Sequence, residues 1–165
     1  MFNKKIKYFG FLFLLAIVFS LTGCTKEKEE SKNKIIEVSS GSDIVIKTDE
    51  ITENATFYNY DVDGVTIQIF AVKATDGTVR IAFNTCGACN PSPMAFFVQH
   101  GDYFECQNCK NRFHRDEIGL KKSFGCSPIA ILNDDKEFSG DTITIKSTFI
   151  ETYKQKFESI NIYTN

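Results

Sequence analysis

Cys86 and Cys89 form one Cys-x-x-Cys pair, Cys106 and Cys109 form another, and sixteen residues separate the two. Two intervening residues let both thiolates of a pair turn onto one ion from a single tight turn. A second pair about 15–20 residues on is the spacing of a tetrahedral four-thiolate site. A fifth cysteine, Cys126, sits in a turn-forming Gly125-Cys126-Ser127-Pro128 stretch and is read with the other four as a fifth ligand, an exchange partner or a buried apolar thiol. Disulfides are the usual fate of cysteine in small exported domains, but five thiols leave one over, and the spacing favours metal. If no metal arrives, each Cys-x-x-Cys becomes a candidate redox pair. Serine, histidine and aspartate show no nucleophile-elbow pattern, so no catalytic residue is assigned and hydrolase chemistry has no support. His114, beside Phe113 and Arg115, reads as a surface residue, and Asp134, Asp135 and Glu137 as a solvated loop.

The compartment is read from the first twenty-four residues. Lys4, Lys5 and Lys7 make a positive start with no acidic residue, and Phe11 to Phe19 is an unbroken apolar run of nine. That run is too short for a hydrocarbon core of ~30 Å and has the length of a signal-peptide centre. Leu21-Thr22-Gly23-Cys24 then resembles the lipobox of bacterial lipoproteins, in which the cysteine is diacylated and becomes the mature N-terminus. On this reading residues 1–23 are removed, Cys24 carries lipid, and residues 24–34, charged and free of aromatics, tether residues 35–165 to the membrane as one domain. The expected location is extracytoplasmic, lipid-anchored to the bacterial cell membrane. Lys4-Lys5 is not a twin-arginine signal, so the chain is expected to leave the cytoplasm unfolded and to be filled outside, where zinc or cuprous copper suits soft thiolates.

Charge excludes one class of partner. Without its leader the chain has 16 basic against 21 acidic side chains, so it lacks the basic footprint of a nucleic-acid binder.

The elements that must position the cysteines follow a period of two. Ile44 and Ile46 alternate with polar neighbours, and Phe57–Tyr60, Val65–Val72 and Val79–Phe83 read as successive strands. Asp61-Val62-Asp63-Gly64 and Thr75-Asp76-Gly77 separate them, with glycine supplying the positive φ of short hairpin turns, so the neighbours should pair antiparallel. This meander leads into Cys86. Phe96–Gln99 and Tyr103–Cys106 flank His100-Gly101-Asp102 as a further hairpin that delivers Cys106 and Cys109 on a zinc-ribbon-like knuckle. Cys86 and Cys89 open a proline-containing loop, so the second pair is expected to be the more rigid half. Thr142–Ile145 is a strand, and Ser147 is a candidate cap for a helix through Phe149, Ile150, Tyr153 and Phe157. Ser40–Ile51 and Ser139–Ile150 echo each other, both reading as strand then helix cap, either a corner used twice or a duplication of two sheet edges. The expected fold class is mainly β within α+β: an antiparallel sheet, the Cys knuckle and a C-terminal helix.

The order of these parts carries a resemblance. Tyr60-Asp61-Val62-Asp63-Gly64, Ile69–Lys73 and Asp76–Cys89, followed by Gln99-x-Gly101-Asp102, Cys106-Gln107-Asn108-Cys109, Phe113, Ile118-Gly119 and Gly125-Cys126-Ser127-Pro128, are similar to the FtrD-like membrane iron–sulfur protein family over roughly residues 55–150. The resemblance implies metal handling or electron transfer beside a bacterial iron-uptake or redox membrane protein, and an iron–sulfur cluster as cofactor. Here a lipid anchor stands where many relatives have membrane helices. The sequence thus points to a lipid-anchored metal-binding protein of metal, chiefly iron, acquisition or associated electron transfer. A thiol–disulfide oxidoreductase and a structural zinc docking module are the alternatives.

Overall fold

The computed structural model describes residues 33–121 and 125–162; the leader, Cys24 and most of the charged stretch lie outside them. The strands, in chain order, are β1 (Lys34–Val38), β2 (Ile44–Lys47), β3 (Thr56–Val62), β4 (Val65–Lys73), β5 (Val79–Cys86), β6 (Phe97–His100), β7 (Tyr103–Cys106), β8 (Arg112–His114), β9 (Pro128–Ala130), β10 (Glu137–Ser139) and β11 (Thr142–Ile145). β1 begins at Lys34, inside the stretch read as tether, and pairs parallel with β3. Its short Ile35-Ile36 core gave no clear alternation.

A five-stranded sheet, in the order β1-β3-β4-β5-β9, divides the molecule, and from β3 onward its neighbours are antiparallel. The β3–β4 turn places Asp63 at φ 50° and Gly64 at φ 78°, both left-handed, which matches the twist of a two-residue hairpin. β4 is apolar on both sides because both sheet faces are covered. Ile67 and Ile69 enter one core with Ile44, Ile46, Ile143, Ile145 and Phe83. Phe70 and Val72 enter the other with Phe97, Phe104, Ile118, Cys86 and Cys106. Phe70 and Phe104 stack at 4.5 Å between centroids and join the central sheet to the three-stranded sheet β6-β7-β8. Burying rings of this size stabilises the contact between layers by roughly 2–3 kcal/mol each.

Polar groups fix how the small sheet docks. Asn59, Gln68 and Asn84 lie side by side across β3, β4 and β5 in a buried amide ladder. Asn84 donates to Gln68 at 2.6 Å, Gln68 to Asn59 at 2.7 Å, and Asn59 to Glu37 at 2.7 Å. At its inner end the Asn84 carbonyl accepts from the Phe97 backbone N–H at 2.8 Å. A buried amide left without its partner costs ~1–3 kcal/mol, so the ladder selects one register between the sheets. Gln99 adds a second tie, accepting from Ala55 N at 2.7 Å and donating to the Gly101 carbonyl at 2.8 Å.

The two echoing segments meet. β2 and β11 pair antiparallel, Ile44 opposite Ile145 and Ile46 opposite Ile143, so the copies lie beside one another instead of on two separate edges. Only the second copy leads into a helix, α1 (Ser147–Glu151), and one further tight turn, Lys154–Lys156, replaces the longer helix expected from the apolar spacing. Nor does Ser147 cap it. Lys146 holds the cap position, and the Asp43 carboxylate from the other copy accepts from the Ser147 N–H at 2.9 Å. That bond, with Lys146 at 3.1 Å, holds the Asp43 carboxyl below its usual range.

Gly119 packs against β5 with φ 65°, and a Cβ there would stand 2.8 Å from the Ile81 carbonyl oxygen. That oxygen belongs to the sheet and already accepts from Ile131 N. Gly119→Ala is therefore expected to cost about 2–3 kcal/mol, read by denaturant unfolding of the metal-loaded protein. Unchanged stability would show that the turn after Ile118 can shift.

Candidate metal centre

Each Cys pair is a tight turn at the end of a strand. Cys86 ends β5, is fully buried, donates its N–H to the Ala95 carbonyl at 2.8 Å and accepts from Asn90 N at 3.1 Å. A register shift between Phe83 and Cys86 against β9 re-aims the strand end and brings Cys86 opposite Pro128. Cys106 ends β7 in the same manner, donating to the Asn111 carbonyl at 3.0 Å and accepting from Lys110 N at 2.9 Å. Within both turns the backbone aims at sulfur: the amides of Cys89 and Ala88 bond to Cys86 Sγ, those of Cys109 and Asn108 to Cys106 Sγ, and that of Asn111 to Cys109 Sγ.

The first turn has side-chain bonds of its own. The loop after Cys89 holds a cis Asn90–Pro91 peptide, and the Asn90 side chain donates to Thr85 Oγ1 at 3.2 Å and to the Lys156 carbonyl. The C-terminal segment thus pins the first loop from outside, where local sequence gave no sign of it.

In the second turn Lys110 has φ 62°, a conformation that costs a non-glycine residue about 1–2 kcal/mol. Its exposed ammonium has only weak surface contacts, 3.3 Å to Gln107 and 3.8 Å to Glu105. Lys110→Gly is expected to keep full metal content and to raise stability by up to about 1 kcal/mol in a denaturant titration. A destabilised variant would mean that the lysine contacts matter more than backbone strain.

The turns bring four sulfurs together from two sheets. The Sγ atoms of Cys86, Cys89, Cys106 and Cys109 all lie within 4.8 Å of one another, and Cys89 and Cys106 are 3.9 Å apart. With metal–sulfur bonds of ~2.3 Å, the edge of a tetrahedron of thiolates around one ion is about 3.8 Å. This cage has the size of a single ion. A cluster puts its ligands on different iron atoms, and the separation of those atoms pushes the thiolates farther apart than the edge of one tetrahedron. The cage as it stands does not fit a multinuclear iron–sulfur cluster, and it fits one ion of thiophilic character.

Cys126 stands outside this group of four, on its more open side. It is half-buried and its thiol is within hydrogen-bonding reach of Cys109 and Cys89, themselves the two half-buried members of the cage. The Ser127 carbonyl accepts from Gly87 N at 3.1 Å and ties the Cys126 turn to the first pair. His114 is not brought to the cage: its Nδ1 accepts from Asp116 N at 3.3 Å.

Burial sets the charge state of the empty cage. It pushes the Cys86 thiol far above the ordinary range and the Cys106 thiol up to about 11, against the opposing pull of the backbone amides. At Cys109 burial acts in the same direction, but the Asn111 amide and the thiols of Cys106, Cys89 and Cys126 outweigh it and bring the group below its usual value. Burial raises Cys126 as well. The interior is thus neutral and Cys109 is the more acidic thiol, and a cation entering from outside supplies the charge that the inner thiolates lack.

The amide donors, Asn90 and the Asn59–Gln68–Asn84 ladder carry no sequence motif. Isolated buried Asn or Gln residues in apolar strands are the only trace of the ladder.

Comparison with known families finds a match over residues 51–157 to the family described as "Membrane iron-sulfur containing protein FtrD-like". Neither a curated protein nor a solved structure matches.

Proposed function

Because the chain belongs to the FtrD-like family of membrane iron–sulfur containing proteins, we propose that it is a lipid-anchored, extracytoplasmic metal-binding protein serving iron acquisition or the electron transfer linked to it. One ion is held jointly by Cys86, Cys89, Cys106 and Cys109, and Cys126 acts as a neighbouring thiol that can exchange with an outer ligand. The observation that carries this reading is the convergence of four sulfurs within 4.8 Å at the meeting of two sheets. Iron in such a cage would supply a one-electron couple and would still answer the family's description, whereas zinc would make the cage purely structural. Zinc and cuprous copper remain the ions favoured by export of an unfolded chain.

Among the described residues no helix is long and apolar enough to cross a membrane; the proposed attachment is lipid on Cys24, read from Leu21-Thr22-Gly23-Cys24. Cys126 beside Cys89 and Cys109 is the observation that favours a thiol–disulfide role as the second reading. A thioredoxin-like arrangement is not its basis, since the residues after Cys89 form turns instead of a helix.

The test is metal analysis of protein purified from membranes of an exporting host, beside a Cys24→Ser variant. One metal per chain is expected, and Cys24→Ser should move the protein from membrane to soluble exported fraction with its metal intact. A metal-free chain with fewer than five titratable thiols in its domain would replace this reading with the thiol–disulfide one. Membrane partition of Cys24→Ser equal to that of the parent would remove the lipid anchor.

A further inference from the structure

A cavity of about 400 Å³ lies away from the cysteines, lined by Thr48, Gly77, Arg80, Gly119, Lys136 and Phe138 among others. Arg80 stands six positions before Cys86 on β5, a rise of roughly 20 Å along the strand, so this cavity and the metal cage occupy opposite ends of one element. Its volume is that of a small-molecule site.

Its chemistry is cationic in an otherwise acidic chain. The Arg80 side chain is only 19% exposed, and one edge of its guanidinium is held by Asp76 at 2.8 Å. The Nε–H is buried and has no hydrogen-bond partner among the described residues. A buried charged donor without an acceptor is costly and rare, and it marks a place where a ligand or water completes the structure. Lys136 is the second cation. Burial lowers its affinity for a proton, and Arg80 acts on it in the same direction, so the two positive charges oppose one another across the cavity. Its neighbours are the Phe138 ring, 5.7 Å from the ammonium, and the Asp135 carboxylate, which acts on it in the opposite direction to Arg80.

The nearby carboxylates have hydrogen-bond partners of their own. Asp76 accepts from Thr78 N at 2.9 Å, Thr78 Oγ1 and Arg80. Asp135 accepts from Leu132 N at 3.0 Å. Gly77, Gly119 and Gly140 expose backbone to the space with no side chain between. We infer that this cavity binds a small multi-oxygen anion, a carboxylate or a phosphate, through the Arg80 guanidinium and the Lys136 ammonium. A planar guanidinium edge and an ammonium together recognise two oxygens of such a group, which chloride cannot offer.

The experiment titrates the full-length, metal-loaded protein with citrate and, separately, with inorganic phosphate, against sodium chloride of matched ionic strength. The Arg80 Nε–H resonance and the thermal midpoint are followed. Saturable change with at least one probe is expected, and the tighter probe tells carboxylate from phosphate. Lys136→Met should weaken that binding at least tenfold with metal content unchanged. If Lys136→Met does not fold, Arg80→Lys, which retains the ion pair with Asp76 and deletes the Nε donor, should show the same weakening. Responses to both probes no greater than to chloride, or a variant that binds as tightly as the parent, would overturn the inference.

Discussion

Cys109→Ser is expected to abolish metal binding and to unfold the hairpin layer, while Cys126→Ser keeps both metal and fold. The difference follows from position. Cys109 is one of four sulfurs within 4.8 Å of each other, and the cage joins the β6-β7-β8 sheet to the end of β5. A structural thiolate site of this kind contributes ~10–16 kcal/mol of binding free energy to folding, as much as or more than the whole stability of a domain this size. Cys126 touches the cage from its open side without being one of the four, so its loss removes a neighbour and leaves the tetrahedron whole. Its effect should fall on kinetics: metal release to a competing chelator should change several-fold. Metal content and circular dichroism melting measured on both variants decide the matter. Equal loss of stability in the two, with no kinetic change peculiar to Cys126, would make the cage five-ligand or purely structural. Full metal content in both Cys86→Ser and Cys106→Ser would show that the two pairs do not share an ion.

The second large effect is of pH. Cys86 and Cys106 have thiols raised above the ordinary value of 9.0, chiefly by burial, so both are protonated near neutrality in the metal-free fold. Coordination requires thiolates, so binding displaces at least these two protons. Release of at least two protons makes the apparent affinity rise with pH and fall by at least about a hundredfold for each unit of acidification below the raised values. Competition with a chelator of known pH dependence, between pH 8 and pH 6, measures that slope. A dependence of tenfold per unit or less would mean that one of the inner sulfurs is already ionised in the empty cage, in conflict with its burial. The sign also matters for function, since an acidic surface environment would favour release and an alkaline one capture.

Much of this molecule is legible from local pattern. The two Cys-x-x-Cys turns, the hairpin that carries Cys106 and the meander ending in Cys86 follow from residue spacing, glycine-bearing turns and alternation, all of which act over fewer than about ten residues. Gln99, Asp102 and Gly119, which carry part of the resemblance, also acquire physical roles here. Gln99 docks the hairpin, Asp102 accepts from Arg115 Nε at 2.8 Å, and Gly119 lets a turn lie against β5. Where local pattern misled, a distant partner was responsible. The apolar spacing from Phe149 to Phe157 suits a helix, but after Glu151 those side chains pack around Phe83 from successive turns, with Tyr153 stacked on it at 4.0 Å. Ser147 had the composition of a cap, but the Asp43 carboxylate, 104 residues away, reached its N–H.

Sequence alone therefore determined the ligand chemistry, because thiol identity and two-residue spacing are local properties, and it determined that strands deliver the ligands. Tertiary structure decided which sulfurs lie together. Cys86 and Cys106 end strands of different sheets, and only the Asn84 bond to Phe97 N, the Phe70–Phe104 stack and the other contacts between the layers bring those ends to within one tetrahedral edge. The same holds for Arg80 and Lys136, separated along the chain by the whole metal-binding segment and set against each other across one cavity. Distances of this kind depend on how layers stack, and the free energy that stacks them is non-directional burial summed over many side chains, which no short stretch of sequence contains.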